Sequence, residues 1–243
     1  MNRLWARLGR AAPFVGVLII LMILVLLCAG LYAGDRYANR RAEQEAAKTL
    51  QSELGTPALP QVDITDFPFL TQLATGSVST MHVVADQLGV ANNAQLTLAH
   101  ADLVMSDVVT KDWFTTMTIG HAEGTSLLDY AKLSALAGAP LSYGSEGRVE
   151  LVSKTTVFGR EVEAVITGTP RLNAKEQTIT LSDARISVAG VNLPDFTAQA
   201  LLAALLRPIP LKGIPLGMTA SRIAAAEDGI AVDLVGDNLI VAA

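Results

Sequence analysis

Hydrophobic and polar positions fall into three rhythms along the chain. From Ala11 to Gly34 no residue is charged, and Phe14 to Ala33 alone supplies 20 such positions, enough for a helix to cross a hydrocarbon core of about 30 Å. From Arg36 to Leu54 the composition stays helical, but the apolar positions thin to Ala42, Ala46, Leu50 and Leu54, four apart on one face, with Gly55 as a stop. The spacing therefore predicts that the first helix continues into a stalk or onto the body, and Thr56 to Pro60 breaks it. Beyond this the period becomes two: Met81, Val83 and Ala85 point one way, His82 and Asp86 the other.

That alternation predicts strands at Ser79 to Gln87, Gln95 to Met105, Phe114 to Ala122, Gly147 to Thr156, Glu161 to Thr167 and Gln177 to Val188. Val162, Ala164 and Ile166 oppose Glu161 and Glu163, and Ile179 and Leu181 oppose Thr178 and Thr180, the pattern of antiparallel sheet with one dry face. Two helices are expected between them, Ser126 to Ala137 and the almost wholly apolar Asp195 to Leu206, and a last hairpin, Leu216 to Ala226 and Ile230 to Val235, turns at Asp228-Gly229. Just before the first long strand, TDFPFLTQLATG predicts one or two helical turns, because Pro68 suits the first helical position and Gly76 a C-terminal stop. The chain reads as α+β, a single membrane helix followed by a sheet-rich body.

Charge and the character of the remaining chain together set the expected topology. Arg3, Arg7 and Arg10 precede the apolar run without an acidic residue, whereas Arg36, Arg40 and Arg41 follow it among Asp35, Glu43 and Glu45. The positive-inside rule and the strand-rich remainder together put residues 1–10 in the cytoplasm, residues 11–34 across the membrane, residues 35–60 in a helical stalk and linker, and residues 61–243 in an extracytoplasmic domain. The apolar run exceeds the roughly 7 to 15 residues of a secretory signal, and Leu31-Tyr32-Ala33 is a poor cleavage site, so an uncleaved plasma-membrane anchor is expected. Gly30 and Gly34 form a G-x-x-x-G through which two spans would pair weakly. With the three N-terminal arginines set aside, 15 Lys and Arg face 23 Asp and Glu, a net charge of −8, which gives counterion release nothing to work with and excludes nucleic acid. The single cysteine, Cys28, lies in the span, so the body folds without disulfides.

Few residues offer catalytic or metal-binding chemistry. His82, His100 and His121 fall on successive predicted strands, where three imidazoles could in principle meet a metal, but isolated histidines on separate strands are ordinary surface or core residues and no metal site is assigned. Gly144-Ser145-Glu146-Gly147 has the wrong spacing for a nucleophile elbow, no glycine-rich phosphate loop is present, and no cofactor or catalytic residue is assigned.

Three blocks carry a family resemblance. PQVDITDFPFLTQLATGSVSTMHVVA, TVFGREVEAVITGTPRL and IPLGMTASRIAAAEDGIAVDLVGDNLIV, in this order and spacing, resemble the LmeA-like phospholipid-binding family of actinobacterial cell envelopes. The resemblance implies a fold similar to the tubular lipid-binding proteins, a curved antiparallel sheet wrapped around helices with an apolar cavity, and a phospholipid partner. Phe67, Phe69, Leu70, Leu73, Met81 and Val83, together with Phe196, Leu201, Leu202 and Leu205, are the residues this reading moves from core packing toward cavity lining, with Pro208 and Pro210 as a rigid turn bordering an entrance. The expected function is phospholipid binding at the plasma membrane, with carriage in envelope assembly or maintenance as its use. A scaffolding module with a solid core is the rival class, and a hydrolase with an unrecognised site a third.

Overall fold

The apolar run and the helical stretch after it form one uninterrupted helix, α1 (Ala12–Leu54), in the computed structural model, which describes residues 12–90, 96–157, 160–188, 191–192, 202 and 208–242. Among the described residues it is the one helix long and apolar enough to cross a membrane, and none of its apolar window is buried in the rest of the chain. The second half behaves differently. Ala42, Ala46, Leu50 and Leu54 are each fully buried, so the four-residue stripe marks a core helix rather than a free stalk. Burying Leu50 and Leu54 contributes about 1.5–3 kcal/mol each.

The elements then follow as β1 (Gln61–Ile64), α2 (Phe69–Thr75), β2 (Ser77–Gly89), β3 (Thr97–Lys111), β4 (Thr116–Asp129), α3 (Tyr130–Ala137), β5 (Leu141–Tyr143), β6 (Val149–Val157), β7 (Arg160–Asn173), β8 (Thr178–Val188), β9 (Val191–Asn192), β10 (Ile209–Pro210), a 3-10 turn (Pro215–Gly217), β11 (Thr219–Ala226) and β12 (Gly229–Ala242). They make two antiparallel sheets. The larger, in the order β1-β2-β3-β4-β12-β11, is strongly curled into a half-barrel, and its dry face meets the buried stripe of α1 in one apolar cluster. The smaller runs β10-β8-β7-β6-β5, with β9 on the edge of β8. The fold is thus the α+β arrangement expected, with an N-terminal apolar helix ahead of curved antiparallel sheet.

Creases help set the curvature. Asp107 on β3 and Asn238 on β12 flank Gly120 on β4, and both flanking residues take left-handed backbone, φ 54° and 53°. A Cβ on Gly120 would lie 2.8 Å from that of Asp107, so only glycine lets the strands close at this row. The smaller sheet repeats the device, with Asp183 at φ 50° opposite Gly168, whose missing Cβ would approach Leu181 Cβ to 3.2 Å, at a register shift between β7 and β8. The two sheets share an apolar cluster, and one side chain also bridges them by hydrogen bonds. Gln177 accepts the N–H of Ala220 at 2.8 Å through Oε1 and donates Nε2 to its carbonyl at 3.0 Å, filling a ladder position on the edge strand β11.

Several expected boundaries move. Ser126 to Asp129 belongs to β4, because Ser126 pairs with both Ala101 and Val232; the helix starts only at Tyr130, where the Asp129 carboxylate accepts the N–H of Ala131 at 2.7 Å. Phe114 lies in a turn with Asp112 and Trp113, all three at positive φ, and its strand begins at Thr116. Leu216 is in the 3-10 turn and the last hairpin reverses at Glu227-Asp228, since Ala226 pairs with Gly229. Pro68 is the N-cap of α2, in extended backbone, and not its first helical residue, while Gly76 closes that helix as expected at φ 69°. The predicted helix from Asp195 to Leu206 lies outside the described residues apart from Leu202, which is helical.

Candidate functional site

An apolar hollow lies where the smaller sheet meets the Ile230 end of β12, the opposite end of that strand from Ile240 and the α2 side of the large sheet. It has a volume of about 620 Å³, within the range of small-molecule sites. The end of α3 (Leu136 to Ala139) forms one wall. Leu141 of β5 and Val149, Leu151 and Ser153 of β6 form the second, Ile179 to Leu181 of β8 the third, and Pro208 to Pro210 the fourth. Alternation on β6 explains why its residues share the hollow: successive side chains face opposite sides, so Val149, Leu151 and Ser153 point together.

No charged side chain lines the hollow, and Ser153 and Thr180 are the residues of its lining that carry a polar side chain. Such a surface suits a hydrocarbon chain and would leave an ionic substrate desolvated and unpaired. The α3 wall is fixed by hydrogen bonds. Ser134 Oγ accepts the N–H of Leu141 at 2.8 Å and donates to the carbonyl of Tyr130 at 2.7 Å, and the Tyr130 hydroxyl donates to the carbonyl of Ala226 at 2.8 Å. Burial pushes the Tyr130 phenol up to about 12, so it stays protonated and serves as a donor, not an acid–base group.

The residues singled out in the sequence divide between two places. Phe69, Met81 and Val83 are fully buried in the cluster with α1, and Leu73 packs half-buried against it. Phe67 is 60% exposed and Leu70 40% exposed, at the other side of the same short helix. Leu202 packs against Leu151, Ala164, Ile166 and Ile186, the cluster behind the hollow, and Leu141 and Leu151 belong to both. Phe196, Leu201 and Leu205 lie outside the described residues. Pro208 and Pro210 are among the residues that line the hollow. Sequence reasoning passed over Leu136, Leu141 and Ile230, whose short or distant elements carry no periodic signal of a shared site.

The histidines do not converge on an ion. His100 Nδ1 lies 2.8 Å from Asp86 Oδ1 across the β2–β3 pair, and His121 Nδ1 lies 2.6 Å from Asp237 Oδ1 across β4–β12, with Glu123 also near. His82 is exposed on β2, and among the described residues no group of three His, Cys, Asp or Glu side chains is placed to hold a metal.

A second set of polar contacts ties α1 to the body. Asp35 accepts the N–H of Leu70 at 2.8 Å, Glu43 accepts the N–H of Ile64 at 3.2 Å while Asn39 donates to the Ile64 carbonyl at 3.1 Å, and Thr49 donates to the carbonyl of Phe114 at 3.0 Å. Burial pushes the Glu43 carboxyl up from its ordinary value, against the opposing effect of the Ile64 N–H. These four residues span the helix from its emergence to its end, so the body is clamped to α1 along much of that length.

Comparison with curated proteins and with solved structures returned no match. A family model described as LmeA-like phospholipid-binding matches residues 33–234, which takes in the buried half of α1, both sheets and the hollow between them. The chain belongs to the LmeA-like phospholipid-binding family.

Proposed function

We propose that this protein is an uncleaved, membrane-anchored, extracytoplasmic phospholipid-binding protein without catalytic activity, which holds acyl chain in the hollow between its sheets and serves as a carrier in envelope assembly or maintenance. The observation that carries the reading is the uncharged lining of the hollow at Leu141, Leu151, Ile179 and Leu181, in a chain of a phospholipid-binding family. Each methylene withdrawn from water contributes about 0.8 kcal/mol, so a partly enclosed acyl chain suffices for retention. Leu202 joins this site through the cluster it shares with Leu151, and Phe196, Leu201 and Leu205, on the same segment, are proposed to complete it. Phe69, Met81 and Val83 form the packed body that holds α1.

The test is native mass spectrometry and solvent extraction of the full chain purified in mild detergent, before and after incubation with labelled phospholipid. Bound phospholipid in both preparations is expected. Its absence from both would overturn the reading and leave a scaffolding module with a solid core. N-terminal sequencing of the mature protein is expected to begin at the initiator end; a start near Gly34 would replace the anchor with a removed signal.

A further inference from the structure

The exposed side chains at the start of α2 stand beside the end of the apolar span. Phe67 and Leu70 leave the body on either side of the fully buried Phe69, at 60% and 40% exposure. Their depth relative to α1 is fixed by two contacts. The Phe67 ring lies 6.0 Å, centroid to centroid, from that of Tyr32, within the last turn of the uncharged run, and the N–H of Leu70 is held by Asp35, one residue beyond it. Asp35 is only 4% exposed, so this is a packed joint. Tyr32 precedes Asp35 by three residues, about 4.5 Å along the helix axis. The corner therefore sits level with the final turn of the span, where the hydrocarbon core gives way to headgroups. Tyrosine is enriched at that depth, and Arg36, whose guanidinium lies 5.7 Å over the Tyr32 ring, follows at the level expected for phosphate.

We infer that the Phe67–Leu70 corner is a second membrane contact, seated in the headgroup–acyl boundary of the leaflet from which α1 emerges. The inference rests on α1 spanning the membrane, and it does not depend on whether the hollow holds lipid. The occupant is the bilayer itself, because the exposed apolar pair is continuous with the span and locked to it. α1 enters the body without a break and is clamped at Asp35, Asn39, Glu43 and Thr49, so the span and the corner present one rigid apolar surface. With two points of contact the body holds one pose over the membrane and cannot swing on its anchor.

The experiment uses the full chain in phosphatidylcholine vesicles. The two tryptophans, Trp5 and Trp113, are replaced by Phe, and a single reporter is introduced as Phe67→Trp or, for comparison, Val109→Trp on the exposed face of β3. Phosphatidylcholine brominated near the ester end or near the methyl end of the acyl chain is the quencher. The reporter at position 67 is expected to emit at shorter wavelength than the one at 109, and to be quenched more strongly by bromine near the ester end. The reporter at 109 is expected to stay unquenched. Water-like, unquenched emission from position 67 would overturn the inference, as would a blue shift without bromine quenching, which would mean that another copy or another protein covers the corner. Loss of the full chain from salt-washed vesicles would also overturn it. Extraction of the same samples reports phospholipid in the hollow separately, and a Leu70→Trp reporter repeats the measurement should Phe67→Trp fail to fold.

Discussion

The ring of Phe69 stacks on that of Phe114, with centroids 6.4 Å apart and planes 21° from parallel, and both residues are fully buried. Phe114 also donates its N–H to Thr110 Oγ1 at 3.0 Å and accepts the Thr49 hydroxyl, so one stacked pair joins α2, the β3–β4 turn and α1. Opening this contact should loosen all three together.

Replacing Phe69 by Ala is therefore expected to cost about 3–5 kcal/mol, lowering Tm by roughly 10 °C in a chain of this size. Phe67→Ala, two residues away but exposed, should stay within about 0.5 kcal/mol of the parent. Thermal unfolding in detergent, followed by the fluorescence of Trp113 beside Phe114, makes the comparison. Equal losses from the two substitutions would contradict the opposite roles assigned to these rings.

A larger side chain inside the hollow should compete with lipid more than with folding. Ser153→Trp and Leu202→Trp are expected to lower bound phospholipid while leaving the Tm of delipidated protein close to the parent's. Val83→Trp, placed in the packed core, should instead cost about 1–3 kcal/mol through overpacking. Delipidated protein is needed because bound ligand itself raises apparent stability. Unchanged lipid content in both hollow variants would move the site elsewhere.

The His121–Asp237 pair predicts a pH dependence. Its hydrogen bond to Asp237 raises the His121 pKa above the ordinary 6.5, with the Asp237 and Glu123 charges acting in the same sense. A raised folded pKa means that the stabilisation is fully present below the unfolded value and is lost as pH rises through the folded one. Asp237→Asn should bring the imidazole titration, followed by NMR, back toward 6.5. The stability gap between parent and variant should be wider below that pH than above it, and should close in alkaline solution. Because the pair is on the surface, added salt should narrow the gap at every pH.

Much of this architecture is legible in short-range pattern. The stripe Ala42, Ala46, Leu50 and Leu54 announces a buried helix face, and Pro68 and Gly76 bracket α2 as turn chemistry requires. What escapes is set by partners distant in the chain. Ser126 to Asp129 looks helical alone and is strand because β3 and β12 pair with it on both sides. β1 has four residues, too few for periodicity, and exists through its pairing of Gln61 to Ile64 with Val84 to Met81. The cap that Asp35 gives α2 crosses 35 positions. Phe67 and Phe69 are the same residue type in the same motif, and the ring that turns inward is the one that meets Phe114 and the core around it. The hollow is hardest to read, because the wall from α3 to β6 closes only against β8, the segment at Pro208 to Pro210 and Ile230 of β12, all distant in sequence.

The crease in the smaller sheet has a consequence for capacity. Leu181 lines the hollow, and its Cβ is the atom that a side chain at Gly168 would strike, 3.2 Å away, beside the left-handed Asp183. Gly168 pairs with Val149, another lining residue, so the missing side chain belongs to the inner face of that wall, and the bore of the proposed container depends on a position with no atoms to line it. A methyl group at position 168 would push that wall and resize the interior without changing its chemistry. Relatives that accommodate longer or bulkier lipids would then differ first at their creases, and their linings could look alike.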